Sequence, residues 1–142
     1  MRTYQVVAAA VTVLSAAGLS AAAVPPAQAT TPVVVYSCGM AGNWLCPAVR
    51  PGEVGFGALW DIAGMHWTHW TGGSAYGAGQ YWLGRGVGYR ADIALTDVKH
   101  HGSQRYFRDA VITAPGHRAV HLWYGSNHGS VGWWEARNTE PG

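Results

Sequence analysis

The sequence predicts a small all-β domain, an antiparallel β-sandwich or barrel that follows a cleaved N-terminal signal helix. Three observations carry this. Strand-type patterns recur about every ten to fifteen residues beyond residue 30. Glycine-rich or polar clusters separate them. No stretch after the N-terminal apolar run spaces its apolar residues as a helix would. Composition agrees, with 20 Gly, 8 Trp and 7 Tyr but only 11% charged residues. Aromatic rings pack well on a pleated surface, and glycine supplies the positive φ of turns and bulges. Disorder needs the opposite balance, low hydrophobicity and high charge.

The N-terminus reads as a secretory signal. Arg2 gives a positive start, Val6 to Leu19 an apolar run, and Ala27-Gln28-Ala29 a small-residue cleavage site after Pro25-Pro26. Thr12, Ser15, Gly18 and Ser20 interrupt the run. It is shorter than the roughly 20 strongly apolar residues that a membrane span needs. Cleavage is therefore expected over anchoring, with a secreted product that has no stable membrane insertion. The chain divides into a signal peptide (1–29), a single β-rich domain (30–136) and a frayed polar tail (137–142).

Within the domain, Val33-Val34-Val35-Tyr36 is a β-branched run suited to a first strand or an extended arm. Pro47, Pro51 and Gly52 mark a loop, and Glu53 to Trp60 is apolar with glycine breaks, a strand with a bulge. Asp61 to Trp70 is read as a strand because Gly64 and Gly72-Gly73 disfavour a helix. Strict alternation would put Met65, Trp67 and His69 on one face and His66, Thr68 and Trp70 on the other. Ser74 to Trp82 alternates small and aromatic residues and pairs with it as a hairpin around Thr71-Gly72-Gly73. From Tyr89 to Thr96 the period of two is unbroken: Tyr89, Ala91, Ile93 and Leu95 against Arg90, Asp92, Ala94 and Thr96. After a turn at His100 to Ser103, Tyr106, Arg108, Ala110 and Ile112 alternate with Phe107, Asp109, Val111 and Thr113. Ala119 to Tyr124 and Ser130 to Trp134 supply two further short strands.

The formal net charge is +2 with no long basic run, so the electrostatic footprint of a nucleic-acid binder is missing. Cys38 and Cys46 are expected to pair as a disulfide in an exported protein. Their C-x7-C spacing matches no familiar site for a metal or for redox thiols. The bridge would close a short glycine-containing loop, a local clip near the start of the domain.

Catalytic motifs are scarce. No G-x-S-x-G nucleophile elbow occurs. Glu53, Asp61, Asp92, Asp97, Asp109 and Glu135 include no pair whose spacing selects it for glycoside hydrolysis. The glycines of Gly77 to Gly88 precede no helix and form no nucleotide loop. Histidines at 66, 69, 100, 101, 117, 121 and 128 offer imidazole ligands. There is no H-E-x-x-H, and adjacent histidines on a strand point apart. The stronger clue is the surplus of tryptophan over what a small core uses. Exposed indoles serve as flat platforms for sugar rings or as anchors for protein partners. Trp67 and Trp70, with His66 and His69 between and beside them, and the adjacent Trp133 and Trp134 are the candidate binding residues.

The stretches Gly64-Met65-His66-Trp67-Thr68-His69-Trp70, Ala75-Tyr76-Gly77-Ala78-Gly79, Ala94-Leu95-Thr96-Asp97-Val98 and Gly102-Ser103-Gln104-Arg105-Tyr106-Phe107 resemble small secreted actinomycete proteins with no assigned function. The similarity covers roughly Asp61 to Thr113, and G-[ML]-H-W-x-x-W is its most specific motif. It implies an exported β-rich domain with a disulfide and carries over no catalytic residue. Some relatives place further cysteines near Leu83-Gly84-Arg85-Gly86, where this chain has none.

The expectation is a non-catalytic module that binds extracellular carbohydrate, cell wall or protein through aromatics, without a cofactor. The alternatives are a histidine-based metal-binding protein or metal-dependent enzyme using some of His66, His69, His100, His101, His121 and His128, and a secreted inhibitor or structural surface protein. Intact-mass spectrometry of the exported protein, with and without reductant, should show one disulfide. A Cys38→Ser/Cys46→Ser variant should remain folded in thermal melts at a cost of about 2–3 kcal/mol, because so short a loop removes little unfolded-state freedom.

Overall fold

The computed structural model describes residues 23, 30–37, 46–56, 60–83 and 88–136. The expected signal segment apart from Ala23, Cys38 and the tail 137–142 lie outside the described residues. The domain is all-β. Its strands are β1 (Val33–Tyr36), β2 (Pro47–Ala48), β3 (Glu53–Gly55), β4 (Trp60–Trp70), β5 (Ala75–Leu83), β6 (Tyr89–His101), β7 (Gln104–Thr113), β8 (Val120–Asn127) and β9 (Ser130–Glu135).

The nine form one sheet in the order β2-β1-β7-β6-β5-β4-β3, with β8 beside β7 and β9 beside β8. The expected hairpins β4–β5 and β6–β7 are present. The sheet is mixed where an antiparallel one was expected. β1 runs parallel to β7, with Val33 opposite Arg105 and Val34 opposite Tyr106. One edge of β7 carries β6 along its whole length. The other is shared, β1 pairing at its start and β8 at Asp109 to Ile112. All four residues of β1 are buried. A continuous apolar run suits a strand covered on both faces, as parallel strands usually are. The sheet is not closed into a barrel. It curls until Phe56, just after β3, meets Trp133 of β9 edge to face at 5.0 Å.

The concave side holds the core: Val35, Val54, Ile62, Leu95 and Phe107 are fully buried, joined by Met65, Ala75, Tyr81, Ala91, Ile93, Ala110, Ile112 and Leu122. On β6 the alternation is met, with Ala91, Ile93 and Leu95 inside and Arg90 and Asp92 exposed. On β7 it is corrected. Phe107, not Tyr106, joins Ala110 and Ile112 in the core. The switch falls beside Asp97, whose φ is 51°. Partners hold their register on either side, Thr96 opposite Asp109 and Val98 opposite Phe107. Both strands therefore turn over together, and Val98 follows Phe107 inward. Asp97 pairs with Lys99 at 3.0 Å and Arg108 at 3.3 Å across this corner.

Tyr106 instead enters a second cluster with Val34, Tyr36 and Tyr124. Tyr36 and Tyr124 stack at 5.0 Å, and Tyr106 lies 5.6 Å from Tyr36 and 6.0 Å from Tyr124. Burial pushes all three phenols above their usual range, and the mutual closeness of the rings adds to this for Tyr124. Trp133 borders both clusters and fastens β9 to β1, its indole N–H donating to the Tyr36 carbonyl at 2.8 Å.

In β4 strict alternation also fails, because the strand has two bulges. Ala63 faces Gln80 but His66 faces Ala78, so Gly64 and Met65 together oppose Gly79. Gly64 takes φ 61°, a conformation that glycine adopts freely at the first position of a bulge. Trp67 then faces Gly77 and His69 faces Tyr76, leaving Thr68 as a second extra residue. Its hydroxyl donates to the Tyr76 carbonyl at 3.3 Å. Each extra residue moves the following side chains to the other face. The result places Met65, Trp67 and Trp70 on the core side and leaves His66, Thr68 and His69 exposed. Met65 and Trp67 rest directly on the β5 backbone. A Cβ at Gly79 would sit 2.7 Å from the Ala63 carbonyl oxygen and 2.8 Å from both Ile62 Cγ2 and Met65 Sδ. Gly79→Ala should destabilise the domain by about 1–3 kcal/mol, the cost of overpacking a filled core, measured by denaturant melts.

Candidate functional site

The described candidate tryptophans are structural in their geometry. Trp67 and Trp70 are half-buried and meet edge to face at 4.7 Å, with Trp70 in turn against Phe107 at 5.4 Å. The Trp67 N–H donates to the Pro51 carbonyl at 2.8 Å and the Trp70 N–H to the Val33 carbonyl at 3.1 Å. Trp133 and Trp134 do point to opposite faces. Trp133 is the strut between β9 and β1. Trp134 covers Trp123 at 6.5 Å between rings and donates to the Gly125 carbonyl at 3.0 Å. Arg108 lies over the Trp123 ring at 5.8 Å. None of these indoles is an open platform.

The open chemistry lies on the convex side, where β4, β5, β6 and β7 present His66, Thr68 and His69; Tyr76, Ala78 and Gln80; Arg90, Asp92 and Ala94; and Val111 and Thr113. Two hollows sit side by side here. The larger, about 560 Å³, is bounded by Ala63, Gly64, His66, Ala78, Gly79, Gln80 and Arg90. The smaller, about 320 Å³, runs from Thr68 and Tyr76 over Ala78 and Ala94 to Asp92 and Thr113. Both volumes fall in the range of small-molecule sites. Small side chains make the floor, so a ligand can approach the sheet closely.

Tyr76 stands at the rim. It is 45% exposed, with Tyr89 one of the two exposed tyrosines among the described residues. Its ring lies 5.4 Å from that of His69, which is bonded to the Ser74 hydroxyl at 3.2 Å. On the same face the side chains of His66, Gln80, Arg90 and Asp92 engage no hydrogen bond or ion pair among the described residues. Other cations of the sheet are spent: Lys99 and Arg108 on Asp97, Arg105 on the Gly72 carbonyl at 2.7 Å, Arg118 on Glu135 at 3.6 Å. Unused donors and acceptors beside an exposed ring and a flat floor suit a polyhydroxyl ligand. Among the described residues Asp92 is the one carboxylate that lines the hollows, and no carboxylate pair of the glycosidase kind is found there.

His66 and His69 thus lie at the open face, while Trp67, Trp70, Trp133 and Trp134 do not. The remaining histidines are dispersed, and among the described residues no three of His, Cys, Asp or Glu gather as metal ligands. Cys46 precedes β2 with φ 54°, and its expected partner Cys38 lies outside the described residues. Tyr76, Gln80, Arg90 and Asp92 are the site residues that sequence reasoning missed. The alternation of β6 already put Arg90 and Asp92 outward. Pairing it with the outward stripe of β5 would have found the cluster. The chain matches no known protein family, no curated protein and no solved structure.

Trp70→Ala should cost about 3 kcal/mol in equilibrium unfolding, the lower end for deletion of a core aromatic because Trp70 is half-buried. Trp70→Phe keeps most of the packing and should cost about 1 kcal/mol, the net worth of the lost hydrogen bond.

Proposed function

We propose that this is an exported, non-catalytic binding module that takes extracellular carbohydrate on the convex face of β4–β7, with the Cys38–Cys46 bridge as a clip beside β2. The observation that carries the reading is the exposed ring of Tyr76 on the same face as a small-residue floor and four unengaged polar side chains. A tyrosine ring offers an apolar face to the C–H side of a sugar. Arg90 brings five donors, Asp92 acceptors, and Gln80 and His66 groups of both kinds. The surplus of aromatics remains the clue, but its functional member is Tyr76. The tryptophans serve this function by holding the sheet that displays it.

The test is retention of the purified domain by a panel of soluble polysaccharides in affinity electrophoresis, followed by calorimetry. Tyr76→Ala should weaken binding about tenfold or more, as expected for loss of a stacking platform, without a change in melting temperature. Trp70→Phe should bind as the parent does. Unchanged binding by Tyr76→Ala, or retention by none of the polysaccharides, would overturn the assignment.

A further inference from the structure

The two hollows differ in make-up and share little. The larger spans β4, β5 and β6 and collects His66, Gln80 and Arg90 over Ala63, Ala78 and Gly79. The smaller spans β4 to β7 and collects Thr68, Tyr76, Asp92 and Thr113. Only Ala78 and Arg90 belong to both. Along β5, Tyr76 and Gln80 are four residues apart, which at the rise of a strand is roughly 13 Å. The stripe of Tyr76, Ala78 and Gln80 is therefore longer than one sugar ring. Ala78 is its low point; on the neighbouring strand Asp92 stands opposite Ala78 and Arg90 opposite Gln80, and the Arg90 side chain lines both hollows.

We infer that the hollows are two adjoining sugar subsites and that the site takes an oligosaccharide segment of at least two rings, with Arg90 shared between them. This rests on the carbohydrate reading above and names the form of ligand that the face selects. One ring stacks at Tyr76, within reach of Asp92 and Thr113. The next lies over Ala78 and Gly79 within reach of His66 and Gln80. The guanidinium, with five donors in a planar fork and no counter-ion among the described residues, can reach hydroxyls of both rings or the oxygen that links them. The absence of any large side chain at position 78 keeps the passage between the hollows open.

Calorimetric titration of the parent domain with β-linked glucose, N-acetylglucosamine and xylose series, each from monomer to pentamer, tests this, beside the corresponding polysaccharides. In the series that binds, the dimer or trimer should bind at least about tenfold more tightly than the monomer, with no further gain once both hollows are covered. Arg90→Ala should weaken the trimer more than the monomer. Ala78→Leu, which raises a side chain between the hollows on the solvent side, should flatten the length dependence while leaving the melting temperature close to that of the parent. A monomer that binds as tightly as the trimer, in a protein that still retains the polysaccharide, overturns the two-subsite inference and leaves the carbohydrate reading standing. Failure to bind any series or polysaccharide overturns both.

Discussion

The placement of side chains in this domain depends on two extra residues in β4. Without them a strand of period two would send Met65 and Trp67 to one face and Trp70 to the other. With Gly64–Met65 set against Gly79, and Thr68 inserted before His69, three large apolar side chains collect on the concave side. The same two steps collect His66, Thr68 and His69 on the convex side. A bulge is a small irregularity in a ladder of hydrogen bonds, yet it re-aims all that follows it. Here it makes one strand both a wall of the core and the rim of a polar surface. The glycines of β5 answer to the same constraint. Gly77 and Gly79 lie where Met65 and Trp67 press on the backbone, and no Cβ fits beneath them.

Indole N–H groups close the structure where the sheet itself does not. Trp67 ties β4 to the loop at Pro51, Trp70 ties it to β1, and Trp133 ties β9 to β1. Each donates to a backbone carbonyl of another segment, so a half-buried tryptophan does two tasks, covering apolar surface and fastening one segment to another. β1 is the common anchor. It lies against the main core through Val33 and Val35 and against the tyrosine cluster through Val34 and Tyr36. The abundance of tryptophan, in a domain with no helix among the described residues, follows from this work. An open curled sheet has edges to cover, and among the described residues no helix covers them.

Much of the fold was legible in the sequence because it rests on local alternation. Tyr89 to Thr96 reads as a half-buried strand and is one. The turns at Gly72-Gly73 and Gly102-Ser103 separate paired strands as their residues suggest. Features set by distant parts of the chain were not legible. Nothing near Val33 tells of Arg105, so the parallel pairing and the tyrosine cluster it creates stayed hidden. The bulges were hidden for a different reason. Counting in twos from Met65 to Trp70 presumes an unbroken ladder, and only the partner strand reveals an insertion. Strict alternation set Trp67 and Trp70 on opposite faces, whereas both lie on the core side. The candidate site was half legible: His66 and His69 were chosen for standing near tryptophans and lie on the open face for another cause. Tyr76, Arg90 and Asp92 required two strands to be laid side by side.

The bulged register of β4 directs the indoles inward and frees the convex face. Hydrogen exchange of the tryptophan side-chain N–H groups, followed by NMR, reads that register directly. The Trp67 and Trp70 indole protons, held by the Pro51 and Val33 carbonyls, should be protected by orders of magnitude over a free indole and exchange only with opening of the sheet. Exchange at the rate of a solvent-exposed indole at Trp70 would contradict it, returning that side chain to the face where unbroken alternation would place it.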